Sequence, residues 1–257
     1  MGHTRLGDLP RTRKWQEVVS LIAGGAGACQ VANAVIRAAE RGLNLASEHA
    51  ALVEAFWILT QLPVAAREPD FSAALRHRGL PVPDNPGLMD IVGAVSEAID
   101  SRLPNNNGRT DLGEMAQAAA CECIAEAVTK RTGGLFGVSA DDVKRTMASM
   151  ATVKQFGDFA RQFYGRLTDK VLQYYVSRTT ANHVGNGMRF ATLAAKAEFD
   201  KALATHCREA SKIVEAFAGE WFSKTNWEKK GISRDDAKGF SHVAMQKMVA
   251  ELKAGAK

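Results

Sequence analysis

Apolar side chains return at every third or fourth position along most of this chain. That spacing places them on one face of an α-helix, whereas a half-buried strand would alternate apolar and polar residues. One such stripe consists of Phe159, Phe163, Leu167, Val171 and Tyr175. No alternating stretch of useful length occurs, and the abundant alanine also favours helices. The sequence therefore predicts an all-α protein, a multi-helix bundle of about eight helices.

The composition excludes several classes of protein. Hydrophobic residues make up 46% of the 257 residues and charged residues 24%, values that are ordinary for a globular chain and exclude a disordered one. No stretch approaches the ~20 apolar residues of a transmembrane helix, so we expect no membrane contact. The four cysteines are few and irregularly spaced, which excludes a disulfide framework and indicates a reducing, cytoplasmic setting.

A segment rich in proline, asparagine and glycine, residues 103–108, is the clearest linker. It divides the chain into an N-terminal helical subdomain, residues 1–103, and a C-terminal basic helical bundle, residues 109–257. Residues 1–103 carry a net charge of −1 and the remainder carries +6. A basic C-terminal half permits a polyanionic partner without requiring one.

Start and stop signals predict where individual helices begin and end. Ser139 with Asp142 three residues later is close to a capping box. Ser47 is expected to cap a helix that ends before Pro63. Apolar spacing predicts one long amphipathic helix across residues 199–221.

Residues 11–41 have the organisation of a helix-turn-helix. A first helix over 11–23 precedes a glycine-rich turn, and a second helix over 28–41 ends at Gly42. Amide and guanidinium groups share one face of the second helix, where they would contact base edges, and basic residues of the first helix would contact phosphates. The predicted nucleic-acid-binding residues are Arg11, Arg13, Lys14, Gln30, Asn33, Arg37 and Arg41. An ordinary αα-hairpin with a solvated polar face is the alternative.

The polar stretch over residues 177–189 is a second candidate site. It combines two arginines, a histidine and two asparagines with glycines, and loops on helical scaffolds often carry binding. The predicted partner- or ligand-binding residues are Arg178, Asn182, His183, Asn186 and Arg189. The alternative is a helix connector built of turn-forming residues.

Aromatic and basic residues alternate near the end of the chain. Trp221, Phe222 and Trp227 lie among Lys224, Lys229 and Lys230, a mixture that can stack and neutralise single-stranded nucleic acid. The alternative is a helix end that buries its tryptophan and leaves the lysines in solvent.

Motifs for catalysis are missing. The sequence has no His-x-x-x-His, no Gly-x-Ser-x-Gly and no Gly-Lys-Ser/Thr. Cys123 and Cys207 fall on apolar stripes, where a thiol behaves as a small apolar group. We therefore expect no catalytic residue, no metal ion and no cofactor. An enzyme would have to assemble its site from scattered residues, and it would need at least three of these four on one pocket: His183, Arg189, His206 and Glu209.

The opening residues 1–15, MGHTRLGDLPRTRKW, are similar to the start of uncharacterised bacterial proteins encoded in phage-defence or mobile-element gene clusters, and residues 183–185 add to the resemblance. The resemblance implies an accessory subunit rather than a free-standing enzyme, and it assigns no role to any residue. We therefore expect a non-enzymatic accessory or adaptor protein that binds a protein partner, with DNA or RNA as a further candidate partner. The alternatives are the scattered-site enzyme and a self-assembling structural protein, a homo-oligomer.

Overall fold

The computed structural model describes residues 12–46, 49–102, 110–133 and 138–254, with the side chains of residues 40–46 left aside. The described residues form eleven α-helices and no strand, which confirms the all-α prediction but exceeds the predicted count of about eight. The helices are α1 (Arg13–Ala23), α2 (Ala28–Ala46), α3 (Ala50–Ala65), α4 (Phe71–His77), α5 (Leu88–Ser101), α6 (Asp111–Thr132), α7 (Ala140–Ser149), α8 (Val153–Ala181), α9 (Leu193–Ala210), α10 (Lys212–Lys229) and α11 (Arg234–Ala254). None of these helices combines the length and the apolarity that crossing a bilayer requires.

Helix α3 is the central element of the bundle. Every residue from Ala51 to Pro63 is buried, because α5, α6, α7 and α11 surround this helix. A helix that is apolar on all sides is stable only when it is enclosed in this way. Phe56 is the centre of an aromatic cluster, with neighbouring rings at 4.8–6.3 Å between centroids. Those rings are Phe156, Phe163, Tyr164, Trp221 and Phe240.

Glycines allow α8 and α10 to pack at close range. A Cβ atom on Gly219 of α10 would lie 1.9 Å from the Val153 carbonyl oxygen, and one on Gly157 of α8 would lie 3.0 Å from the Glu215 carbonyl oxygen. Side chains at these positions would push the two helices apart. The close contact therefore requires glycine, which has no Cβ atom, at these positions.

The long helix predicted across residues 199–221 is wrong, because the chain breaks at Ser211 into α9 and α10. Ser211 is fully buried, and its hydroxyl donates to the Arg208 carbonyl at 2.8 Å. A Cβ on Gly165 of α8 would lie 3.0 Å from that hydroxyl, so the break sits against α8. Both α9 and α10 pack on α8, and apolar spacing alone does not reveal the break between them.

Other predicted boundaries also differ from the structure. Pro63 does not end the third helix, since α3 continues to Ala65 with the proline inside it. Residue Ser47 lies outside the described residues, and the side chain of His49 accepts the first-turn hydrogen bond from Ala51 instead. Gly42 lies within α2, which continues to Ala46. The capping box of Ser139 and Asp142 at the start of α7 is confirmed.

Helices from the two predicted halves pack on one another. Helix α2 contacts α8, α9 and α11, and α3 contacts α6, α7 and α11, so the buried apolar residues form one cluster. The predicted linker, residues 103–108, lies outside the described residues. The division into two helical subdomains stays a prediction.

Candidate functional site

Asn33, one of the residues of α2 predicted to contact nucleic acid, is packed against protein, whereas Gln30 and Arg37 are exposed. Asn33 is 9% exposed, and its amide donates to the Lys253 carbonyl of α11 at 2.7 Å. All residues from Val31 to Ile36 are buried. Gln30 is exposed, but its side-chain oxygen accepts from the Gly27 amide at 3.3 Å and so caps α2. A recognition helix must present such groups to a groove, and Asn33 instead joins α2 to α11.

The basic residues of this segment make mostly local contacts. Lys14 donates to the Arg37 carbonyl at 3.3 Å, and the Arg37 guanidinium pairs with Glu17 at 2.8 Å. Arg13 is exposed at the start of α1. Arg11 and the side chain of Arg41 lie outside the described residues. The structure thus brings Lys14 and Arg37 together as a link between α1 and α2.

Arg189, predicted to contact a partner, instead holds the loop after α8 on the end of α1. Its guanidinium donates to the Leu21 carbonyl at 3.3 Å, to the Ile22 carbonyl at 2.6 Å, and to the Ala26 carbonyl. The last carbonyls of a helix lack intrahelical donors and carry partial negative charge, so the half-buried Arg189 cation is stabilised there. Burial lowers the pKa of Arg189.

The other residues of the polar loop point in several directions. Arg178 lies over the Tyr174 ring, with 5.2 Å from its guanidinium carbon to the ring centroid. Asn182 and Asn186 are exposed. His183 is half-buried, and its carbonyl accepts from the Phe190 amide at 3.0 Å, which closes residues 183–190 into a turn. The loop presents the polar side chains of Asn182 and Asn186 to solvent.

The four residues proposed for a scattered-site enzyme do not form a hydrogen-bonded set. Glu209 is exposed and pairs with Lys212, while Arg189 serves the end of α1. His206 contacts a residue outside the set, Cys29 of α2, with 3.2 Å between the Cys29 Sγ and the His206 Nδ1. In the described part of the chain no two of the four residues bond to each other.

The Cys29–His206 contact was missed by sequence reasoning. The two residues are 177 positions apart, and helical spacing says nothing about which helices meet. Both side chains are half-buried. The sequence did contain one signal for the position of Cys29. This residue follows the glycine-rich turn at the predicted start of the second helix, which places a thiol in the first turn of α2. Cys123 and Cys207, by contrast, are fully buried as expected.

A groove of about 670 Å³ lies at the end of the molecule where α3 and α10 finish. Trp227 lines it and is 85% exposed, although burying an indole ring is strongly favourable. Arg67 lies on the α3 side, and Asn226 and Lys230 lie on the α10 side. We call this feature the Trp227 groove. It is defined by Val64, Arg67, Ala151, Phe222, Ser223, Asn226, Trp227 and Lys230.

Two cations of the Trp227 groove are available to a ligand. Nearby basic residues already have partners: Arg78 pairs with Glu68 at 2.6 Å, and Lys229 pairs with Asp236. No acidic side chain of the described residues pairs with Arg67 or Lys230, and both are exposed. Lys230 ends α10 with φ of 55°, a left-handed conformation uncommon for a residue with a side chain. The groove therefore combines an open aromatic face with uncompensated positive charge.

A second cavity, of about 500 Å³, lies between α6, α8 and the α9–α10 junction, but its charges are largely compensated. Arg161 pairs with Glu215 at 2.8 Å, and Arg166 pairs with Glu126. Lys170 pairs with Glu122 at 2.6 Å. Such pairs join neighbouring helices, and a ligand would have to displace them.

No family model, no curated protein and no solved structure matches this chain. The candidate sites therefore depend on the geometry alone.

Proposed function

We propose that this chain is a cytoplasmic, non-enzymatic accessory subunit of a bacterial multi-protein complex, related to phage defence, that binds a protein partner and holds single-stranded nucleic acid in the Trp227 groove. The observation that carries the nucleic-acid part is Trp227 itself. Trp227 is 85% exposed, and it lies beside two cations, Arg67 and Lys230, that pair with no acidic side chain of the described residues.

Base stacking supplies the sequence-independent part of the proposed binding. Every nucleobase has a flat π-face, and stacking on an aromatic side chain contributes about 1–3 kcal/mol per base. Trp227 offers a large exposed ring for this purpose, and Asn226 and Ser223 line the same groove with polar groups. Trp221, although it is close in sequence, packs against Phe56 and Phe240 and is not available.

Phosphate contacts supply the electrostatic part. Arg67 and Lys230 line the groove, and Lys224 stands nearly one turn before Trp227 on α10. Lys224 is 4.0 Å from Glu228, and this exposed pair is weak enough for a phosphate to compete with it. Three neutralised phosphates of a single strand predict a slope of about −2 for log K against log salt concentration.

The test is binding of a labelled thymidine 12-mer, measured by fluorescence anisotropy across a salt series. We expect the slope given above for the unchanged protein. Trp227→Ala should weaken binding about tenfold or more, because at least one stacking contact is lost. Lys230→Ala should reduce the steepness of the salt dependence by about one third.

Matched controls separate the groove from the rest of the surface. Met89→Ala removes another exposed apolar side chain, on α5, and Lys201→Ala removes an exposed lysine on α9; neither should change the affinity. Duplex DNA should bind no better than single strands, because Asn33 on the predicted recognition face of α2 is packed against α11. Weak binding that does not respond to salt would contradict the proposal that the groove binds nucleic acid. Binding of a protein partner would remain, and an exposed tryptophan is also a typical contact for such a partner.

A further inference from the structure

We propose that Cys29 is a reactive thiol that forms mixed disulfides with low-molecular-weight disulfides, and that His206 takes up its proton. The inference rests on the contact between the Cys29 Sγ and the His206 Nδ1 at 3.2 Å and on the position of the thiol in the first turn of α2. It is independent of the Trp227 groove.

His206 is placed to act as a base. Burial lowers the pKa of His206, so the ring is neutral near pH 7 and one nitrogen is free to accept a proton. The Leu252 carbonyl acts on the ring in the opposite direction and raises its pKa by less. The Nε2 atom is enclosed and makes no full hydrogen bond within the described residues. The ring meets the thiol through Nδ1, and the neutral tautomer with its proton on Nε2 presents the Nδ1 lone pair to Sγ.

The reacting sulfur belongs to the first turn of α2. The first N–H groups of a helix have no intrahelical acceptor and carry partial positive charge. Cys29 is the second residue of α2 and is half-buried rather than enclosed, so a small reagent can reach it. The glycine-rich turn just before it contains Gly25 at φ 81°, and Arg189 holds the Ala26 carbonyl of that turn.

The size of the reagent follows from the surroundings. Neither the Trp227 groove nor the cavity between α6, α8 and α9 is lined by Cys29 or His206. Cys29 is half-buried rather than enclosed, and a flexible small disulfide needs less room beside it than a large substrate does. This favours a modification site over a catalytic centre.

The reaction is thiol–disulfide exchange. The proton of Cys29 passes to the His206 Nδ1, and the sulfur attacks one sulfur of the reagent. The reagent S–S bond breaks as the new S–S bond to Cys29 forms, and the departing thiolate takes the proton from the imidazolium and leaves as a thiol. Cys29 is oxidised, and half of the reagent is reduced.

The test uses oxidised glutathione on the full chain, with modified sites mapped by mass spectrometry over time. Cys121 is the internal control: it is also half-buried, but it contacts Ser96 and the Val92 carbonyl at 3.8 Å, and burial raises its pKa. We expect Cys29 to react at least about tenfold faster than Cys121. His206→Gln should slow the reaction of Cys29 by about tenfold or more and leave Cys121 unchanged, since a positioned base typically contributes that much.

Two results would overturn the proposal. One is a Cys29 rate no higher than that of Cys121 in the unchanged protein. The other is a folded His206→Gln protein, verified by circular dichroism, in which Cys29 reacts as fast as before or faster. If His206→Gln does not fold, the comparison of the two thiols in the unchanged protein decides the question.

Discussion

Glu54 carries an acidic group in the middle of the most apolar helix of the molecule. Its side chain is 5% exposed, and Arg234 of α11 holds both carboxylate oxygens, at 2.6 and 2.8 Å. The Arg234 guanidinium also lies 3.6 Å from the centroid of the Trp57 ring, and Trp57 in turn donates to the Ile232 carbonyl at 2.8 Å. A buried charge is tolerated only with such partners, so these groups fix how α11 lies on α3.

Removing Arg234 should therefore destabilise the protein strongly. Arg234→Met keeps the contact with Trp57 but leaves Glu54 buried with only Arg102, at 3.5 Å, as a partner. We expect the free energy of unfolding in urea to fall by about 2–3 kcal/mol, below the usual cost of breaking a buried pair because Arg102 remains.

Arg102→Met is the matched control for this position. The Arg102 side chain is about half exposed and lies 3.5 Å from Glu54. The loss in the free energy of unfolding should therefore stay below about 1 kcal/mol. Equal losses in the two variants would show that Arg234 has no special role in holding α11.

At the scale of helices, local signals predicted starts better than ends. The capping box of Ser139 and Asp142 acts within four residues, so its chemistry is visible in the sequence. The break at Ser211 and the passage of α3 through Pro63 depend on neighbouring helices, which no local pattern specifies. The same limit applies to Asn33. It was predicted to contact nucleic acid, but its side-chain amide bonds the Lys253 carbonyl of α11, 220 residues further along the chain.

The contact between α8 and α10 leads to a prediction about glycine. Gly219→Ala places a methyl group 1.9 Å from the Val153 carbonyl oxygen, and that atom belongs to the backbone and cannot rotate away. We expect a loss of about 3 kcal/mol in the free energy of unfolding, at the upper end for an overpacked core.

Gly239→Ala in α11 is the control for that change. A Cβ atom at Gly239 meets nothing within 4 Å, so the substitution should stabilise the protein by about 0.5–1 kcal/mol through helix propensity. The prediction fails if urea unfolding shows the same sign of change for both variants.

At the scale of the whole molecule, the first half of the chain is covered by the second. Helix α3 is enclosed by α6, α7 and α11, and α2 lies against α8, α9 and α11. Periodicity predicted that the chain is helical, but the sequence has no signal for which helices meet. The Trp227 groove was in part predictable from the alternation of Trp227 with lysines, whereas Arg67 joins it only through the fold.

Because helices from both halves of the chain pack on one another, we predict a single cooperative unfolding transition. Urea curves followed by circular dichroism and by tryptophan fluorescence should coincide, because the described tryptophans are distributed over α1, α3 and α10 while helices report on the whole chain. Arg234→Met should move both curves together. Two separate transitions would instead support independent helical subdomains.

Enclosure of α3 has a consequence for how each copy of the protein is made. The arginine that neutralises Glu54 is 180 residues further along the chain. At about 5–20 residues per second, a ribosome needs roughly 10 to 35 s to deliver it. During that interval α3 has left the exit tunnel without α11 packed on it, so part of its apolar surface stays exposed. We therefore expect newly made chains to bind chaperones that shield apolar segments.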